Sequence, residues 1–415
     1  MKTSVMDRQP VHTVYGGAHL FRADTAASLG RKALEALRQY APNALALADA
    51  LGLNKATADA VYARVVAKLE REPVEDYRID FEDGFGVRSG AEEDAEAVRT
   101  AHEMARAMEN GTLAPFTGIR IKPLNALLRT RSTKTLDIFL TTLLEASRGK
   151  LPSGFVVTLA KITAPEEVSA LADFFDIFES THHLEPGALR MELMIETPQA
   201  IINSRGEFAL PSLVDAARGR CRGAHFGPYD YTAAFNITAA HQHMLHPACE
   251  HARQVILVCL AQRGIFLSDG PTNILPISRE GDVRTIHRAW RLHAEHIRHS
   301  LSNGFYQGWD LHPAQLPSRY ATVYSFFLEG LPAATARLKN FIERAAQATL
   351  VGDVFDDAAT GQGLLNYFLR GLSCGALTEE ETLAAGLTLD ELLTRSFSEI
   401  VERRRSSAPA SNFKL

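Results

Sequence analysis

Short apolar or β-branched runs recur along the first three quarters of the chain, each followed by a stretch of helical periodicity. They lie at 12–15, 77–81, 118–121, 155–159, 189–195, 223–226, 265–267 and 305–309. Past the long first interval their starts are spaced roughly 34 to 42 residues apart. Continuous apolar runs fit strands buried on both faces, as in parallel sheets. The intervening segments carry helix signals: an Ala/Glu-rich stretch at 91–99, and a proline followed by two glutamates opening 165–175. Proline at a helix start and acids in its first turn suit the helix dipole. Eight such units predict an α/β fold, a (β/α)8 TIM barrel, because open doubly wound sheets seldom reach eight even repeats. The first interval, about 25–72, holds extra helices at 26–40 and 56–71. After Pro317 the rhythm changes to helices at 318–330, 332–348, 361–372 and 378–404 with no strand between them. The pattern therefore predicts a barrel over 1–330 and a helical C-terminal extension over 331–415.

Composition narrows the class without changing the fold. Apolar residues make up 46% and charged residues 22% of the 415, the balance of a soluble globular chain. A net charge of −5 is too small to imply a nucleic-acid or membrane partner. No apolar run reaches the roughly 18 residues of a membrane helix, and the first ten residues lack the apolar stretch of a signal peptide. The four cysteines show no Cys-x-x-Cys spacing and read as reduced thiols. A cytoplasmic protein is expected.

In such barrels chemistry gathers at the C-terminal ends of the strands. There the most telling pair is Glu196, after Leu-Met-Ile, and Asp230, after Phe-Gly-Pro-Tyr. Their 34-residue separation suits one strand–helix–strand crossover and neighbouring strands. Two converging carboxylates suit a magnesium ion, or manganese in its place, that keeps waters and takes substrate oxygens. The other ends add Gly16-Gly17, a bare turn open to a ligand; Asp80-Phe81-Glu82-Asp83; Arg120 and Lys122 on one side of their strand; Lys161; Asp269; and Asp310. Acids this crowded require a cation or raised pKa values. Asp269 and Asp310 can equally serve as helix caps, and Arg120 as an ion-pair partner of Glu82 or Asp83. His241, His243 and His246 read as a solvated loop, and His293, His296 and His299 as the exposed side of a helix. No zinc pattern, phosphate-binding glycine loop or nucleophile elbow is present.

At these residues the chain resembles the HpcH/HpaI aldolase and citrate lyase β-subunit family of phosphoenolpyruvate/pyruvate-binding barrels. The matching elements, in order, are Asp-Phe-Glu-Asp-Gly (80–84), Ile-Arg-Ile-Lys (119–122), Lys161, Ile-Glu-Thr (195–197), Phe-Gly-Pro-Tyr-Asp (226–230), Ser-Asp-Gly-Pro (268–271) and Gly-Trp-Asp-Leu-His-Pro-Ala-Gln (308–315). The resemblance implies a magnesium-dependent carbon–carbon lyase or aldolase acting on a 2-oxo acid or acyl-CoA thioester. It implies Glu196 and Asp230 as metal ligands and Arg120 as the group that binds substrate oxygens. It also implies a homo-oligomer, a trimer or hexamer, whose C-terminal segment covers a neighbouring mouth; the acids there are Asp353, Asp356 and Asp357. The chain departs from the family at Lys122, where asparagine is usual.

Elementary chemistry leads to the same reaction class. Cleaving a bond beta to a carbonyl leaves an enolate, so cationic groups facing that oxygen lower the barrier. Arg120, with Lys122, Lys161, Gly16 and Gly17 toward the substrate, and Asp83, Glu82 or an aspartate of the C-terminal segment as base, would complete such a site. The alternatives are phosphoryl or carboxyl chemistry on a phosphoenolpyruvate-like substrate, and a barrel that only binds a metabolite.

Overall fold

A computed structural model describes residues 8–343, 349–351, 354–356 and 358–407. Eight parallel strands pair in sequence order: β1 (His12–Gly17), β2 (Asp76–Asp80), β3 (Phe116–Ile121), β4 (Phe155–Leu159), β5 (Arg190–Ile195), β6 (Cys221–Phe226), β7 (Phe266–Pro271) and β8 (Gln307–Asp310). β8 pairs back with β1 and closes the barrel, so the expected (β/α)8 architecture is the one present. The helices fall where their signals lie: Gly90–Asn110 opens on a Ser89/Glu92 capping box, and Pro165–Thr181 has its proline in the first turn.

Strand alternation explains why apolar and charged residues share the same strands. Ile79, Ile119, Val157 and Leu193 are fully buried beneath the helices, while the residues between them project inward. At mid-barrel, Arg78 pairs with Asp76 and donates from Nη2 to Glu192 Oε2 at 2.7 Å. His225 Nε2 lies 2.9 Å from the same oxygen. Trp309 Nε1 donates to His225 Nδ1 at 3.1 Å, which assigns the imidazole proton to Nε2. Burial pushes the Glu192 carboxyl up, but Arg78 and His225 outweigh it and hold it well below the usual range.

Two charged strand ends turn out to be structural. Asp269 takes Arg253 Nε at 2.9 Å and the Ser300 hydroxyl at 2.5 Å. Asp310 takes Arg319 Nη2 at 2.9 Å, His12 Nδ1 at 2.8 Å and His293 Nε2 at 3.1 Å. Neither caps a helix. The histidine face of the helix Val283–Ser302 is likewise the reverse of the expectation. His293 and His296 are buried, bonded to Ser318 and Thr272, and only His299 is half-exposed. Spacing of three places residues on one helix face but does not say whether that face meets solvent or core.

The chain divides into two compact units, Lys2–Pro42 with Val66–Arg319 and Asn43–Val65 with Tyr320–Leu415. In the second, the expected all-helical extension needs correction. Thr349–Val351 and Val354–Asp356 form an antiparallel pair of strands. The two helices expected at 318–330 and 332–348 are one, Leu316–Glu343, running through Pro332; residues 344–348 lie outside the described ones. Buried Phe327, Leu338 and Phe341 hold it on both sides of the lost backbone bond. The helix expected at 378–404 is three, Glu379–Leu383, Leu389–Thr394 and Phe397–Ser407. Capping boxes at Thr378/Glu381 and Thr388/Glu391 restart the first two, and Arg395 in the left-handed region (φ 56°) ends the second. Cys221, Cys249 and Cys259 are free thiols. Among the described residues no helix is long and apolar enough to cross a membrane.

The Asp310 cluster yields a stability prediction. Arg319→Met leaves a buried carboxylate balanced only by imidazoles, and urea unfolding at pH 7 should show a loss of about 3–5 kcal/mol. A loss below about 1 kcal/mol would mean that His12 and His293 balance the charge without the arginine.

Candidate active site

The C-terminal ends of β2 to β6 bring five carboxylates and two cations together. Asp80 and Arg120 are register partners on β2 and β3, so their side chains enter the barrel at one level. Arg120 Nε donates to Asp80 Oδ1 at 2.7 Å and Nη2 to Oδ2 at 2.5 Å, a two-point clamp. The guanidinium lies over the Tyr15 ring, 5.0 Å from its centroid. The remaining nitrogen, Nη1, has only the looser company of Glu82 Oε2 and Asp83 Oδ2, each at 3.6 Å.

Lys161, two residues past β4, joins the rest. Its Nζ is 2.8 Å from Glu82 Oε1, 3.0 Å from Asp83 Oδ1 and 3.4 Å from Asp230 Oδ2. Its backbone N–H donates to Glu196 Oε1 at 2.7 Å. To do both it adopts a left-handed backbone (φ 48°), uncommon for a side-chain-bearing residue and frequent at functional positions. Burial disfavours its charged form, yet Glu196, Glu82 and Asp83 together raise the ammonium pKa.

Glu196, just past β5, is 2% exposed. Gly227 makes room for it, since a Cβ there would stand 2.7 Å from Glu196 Oε2. Burial, helped by the charge of Asp230, pushes the Glu196 carboxyl up to about 8 although Arg120 and Lys161 pull it down. Asp230 sits in the first turn of Pro228–Ala234 and is more open, its side chain 43% exposed. Glu82 and Asp83 share a hydrogen bond and diverge. Burial and Asp83 raise Glu82; Asp83 is lowered, because bonding to Glu82 and the charges of Arg120 and Lys161 outweigh its own burial.

The structure thus groups Glu82, Asp83, Arg120, Lys161, Glu196 and Asp230. It does not bring Lys122 into the group: that ammonium is 2.8 Å from Glu93 and 2.5 Å from the Phe81 carbonyl. Gly16 and Gly17 end β1 instead of forming a turn, and packing accounts for both. A Cβ on Gly16 would fall on the Tyr77 hydroxyl, and one on Gly17 on the Gly84 carbonyl. Asp353 and Asp357 lie outside the described residues, as does the side chain of Asp356. Sequence reading missed Asp80 as the clamp and Tyr15 as the platform of Arg120. Strand alternation places Asp80 on the inner side of β2, but only the register shows it opposite Arg120.

Among the described residues no three His, Cys, Asp or Glu side chains converge as metal ligands. The donor set nonetheless fits magnesium, which needs only one or two protein carboxylates and takes its other oxygens from water and substrate. Glu196 and Asp230 are hard oxygen donors, and the buried one lacks enough positive charge to stay ionised at neutral pH.

Comparison with known proteins gives one family and a fold. The family described as a domain of unknown function (DUF6986) matches residues 3–400. No curated protein matches the chain. Among solved structures, a citrate lyase from Burkholderia xenovorans LB400 is similar at 18% identity with a TM-score of 0.59, over 91% of this chain and 97% of that one. A Haloferax volcanii malate synthase in a ternary complex with pyruvate and acetyl-CoA aligns at 16% identity with a TM-score of 0.49, over 96% and 99%. At 18% identity the likeness to the citrate lyase carries the fold alone.

The raised Glu196 pKa has a measurable consequence. A carboxyl whose folded pKa exceeds its unfolded value costs no stability below about pH 4.5, and costs progressively more as pH rises toward 8. In chelator, the wild type should lose up to about 4 kcal/mol of unfolding free energy between pH 5 and 8 through this group. Glu196→Gln should flatten that slope. Urea titrations at both pH values decide it: equal slopes in the two proteins would mean that Glu196 is ionised in the folded state.

Proposed function

The chain belongs to the DUF6986 family, and we propose that it is a magnesium-dependent carbon–carbon lyase or aldolase. It would act beta to the carbonyl of a 2-oxo acid or acyl-CoA thioester, through an enolate. The observation that carries this reading is the buried Glu196 beside Asp230, facing an arginine whose Nε and Nη2 are taken by Asp80 while Nη1 has only 3.6 Å contacts to Glu82 and Asp83.

Each residue has a task that its geometry supports. Glu196 and Asp230 would hold the metal, which when bound supplies positive charge beside the carbonyl oxygen. Arg120 spends Nε and Nη2 on Asp80, so its orientation is set before substrate arrives and Nη1 can donate to a substrate oxygen. Asp83, held ionised by Glu82, Arg120 and Lys161, is the base that takes the proton of the β-hydroxyl as the carbon–carbon bond breaks. The bonding pair moves onto the enolate oxygen, and the hydroxyl carbon leaves as a carbonyl. Glu82, whose carboxyl burial and Asp83 raise above its usual range, is the acid placed to return a proton to the enolate carbon. Lys161 draws both acids down and ties them to Asp230.

The phosphoenolpyruvate-type alternative has less support. It needs a phosphate-binding cation, and Lys122, its one sequence hint, is engaged by Glu93.

The test is exchange of substrate α-protons with deuterated water, followed by proton NMR on pyruvate, other 2-oxo acids and short acyl-CoAs. Exchange should require magnesium, vanish with chelator and be abolished in Glu196→Gln. Arg120→Lys loses the two-point clamp and should lower the exchange rate by about 10²-fold. Absence of exchange across the whole set overturns the enolate reading. Full activity of Glu196→Gln removes that residue from the metal site.

A further inference from the structure

The first strand delivers a residue to the mouth that no chemistry above has used. Tyr15 projects inward from β1, and the Arg120 guanidinium rests over its ring at 5.0 Å. The ring itself has two aromatic neighbours. Trp309 of β8 packs on it at 4.8 Å between centroids, and His225 of β6 meets it edge-on at 6.1 Å. The Tyr15 hydroxyl lies 3.5 Å from His225 Nδ1, a long contact, because that nitrogen already accepts from Trp309 Nε1 at 3.1 Å. His225 in turn is fixed by Glu192, which Arg78 holds. Residues of three other strands therefore meet at one aromatic ring.

We propose that Tyr15 is a positioning residue for Arg120: its ring is a rigid platform that keeps the guanidinium flat and Nη1 turned toward the mouth. The inference rests on the reading of Arg120 as the group that meets substrate oxygens, and adds that Arg120 needs two supports. Asp80 fixes the edge of the guanidinium through hydrogen bonds. That clamp alone leaves the fork free to tilt about the line joining Nε and Nη2. A ring packed 5.0 Å from the guanidinium carbon limits the tilt, and a desolvated cation–π contact adds attraction in the same geometry. The Trp309 and His225 contacts explain why the platform itself does not turn. The ring carries the effect; the hydroxyl, at 3.5 Å from an occupied acceptor, contributes little.

The experiment is calorimetric binding of oxalate, a planar dicarboxylate, to the full chain in excess magnesium, with magnesium alone titrated as a second readout. Tyr15→Phe keeps the ring and should bind oxalate like wild type. Tyr15→Leu removes it and should bind about tenfold more weakly, with magnesium affinity unchanged. In an Arg120→Lys background, Tyr15→Leu should cost nothing further, because its effect runs through the guanidinium. Circular dichroism and thermal melts check folding, with Tyr15→Met replacing Tyr15→Leu should the latter unfold. Unchanged oxalate binding in the ring-less variant overturns the platform alone, as does an equal loss in Tyr15→Phe or an additive loss over Arg120→Lys. Failure of wild type to bind oxalate at all overturns the substrate role of Arg120, and the platform with it.

Discussion

The two-point contact between Asp80 and Arg120 is the joint on which the upper barrel depends. An arginine inside a barrel must be paired, because an uncompensated buried charge costs several kcal/mol. Asp80 meets that need from the neighbouring strand at the same level, so one interaction fixes the β2–β3 register and the direction of the guanidinium together. The level below follows the same rule, with Arg78 shared between Asp76 and Glu192 and with His225 closing the set. There one arginine serves two carboxylates, and burial together with Glu192 raises Asp76. At the mouth the excess is larger: Asp80, Glu82, Asp83, Glu196 and Asp230 face Arg120 and Lys161. That larger excess of carboxylate sets this end of the barrel apart.

The barrel was legible in the sequence because its signal is redundant. Eight apolar runs at similar spacing specify the architecture even where individual ends are misplaced by one to four residues, and the run at 155–159 coincides with β4. Charged strand ends carry no such redundancy. Asp269 and Asp310 look like Glu196 and Asp230 in sequence, yet Arg253 and Arg319 neutralise them from helices 16 and nine residues away in the chain. Whether an acid is neutralised depends on a partner that only the closed barrel brings near. Lys122 fails for the same reason: alternation predicts it on the side of Arg120, but Glu93 of the preceding helix takes its ammonium. The C-terminal segment misled in another way. Helical propensity over 378–404 is nearly continuous, whereas the breaks are written in two Thr-x-x-Glu capping boxes, which were there to be read.

Lys161 shows how the excess charge is managed without being removed. Its backbone N–H binds Glu196, and its ammonium binds Glu82, Asp83 and Asp230. One residue therefore touches both halves of the carboxylate group, and its left-handed backbone is the cost of reaching both. One ammonium cannot satisfy four acids, so protons take up part of the remainder: Glu196 and Glu82 are raised and Asp83 is lowered. That uneven division bears on the kind of ligand the mouth admits. A phosphorylated substrate would bring two further negative charges to a site already short of cations, and electrostatics disfavours it. A singly charged 2-oxo acid or a neutral thioester carbonyl, arriving with a divalent cation, corrects the imbalance instead. The same charge inventory therefore argues for a metal and against a phosphate, and it does so before any resemblance is considered.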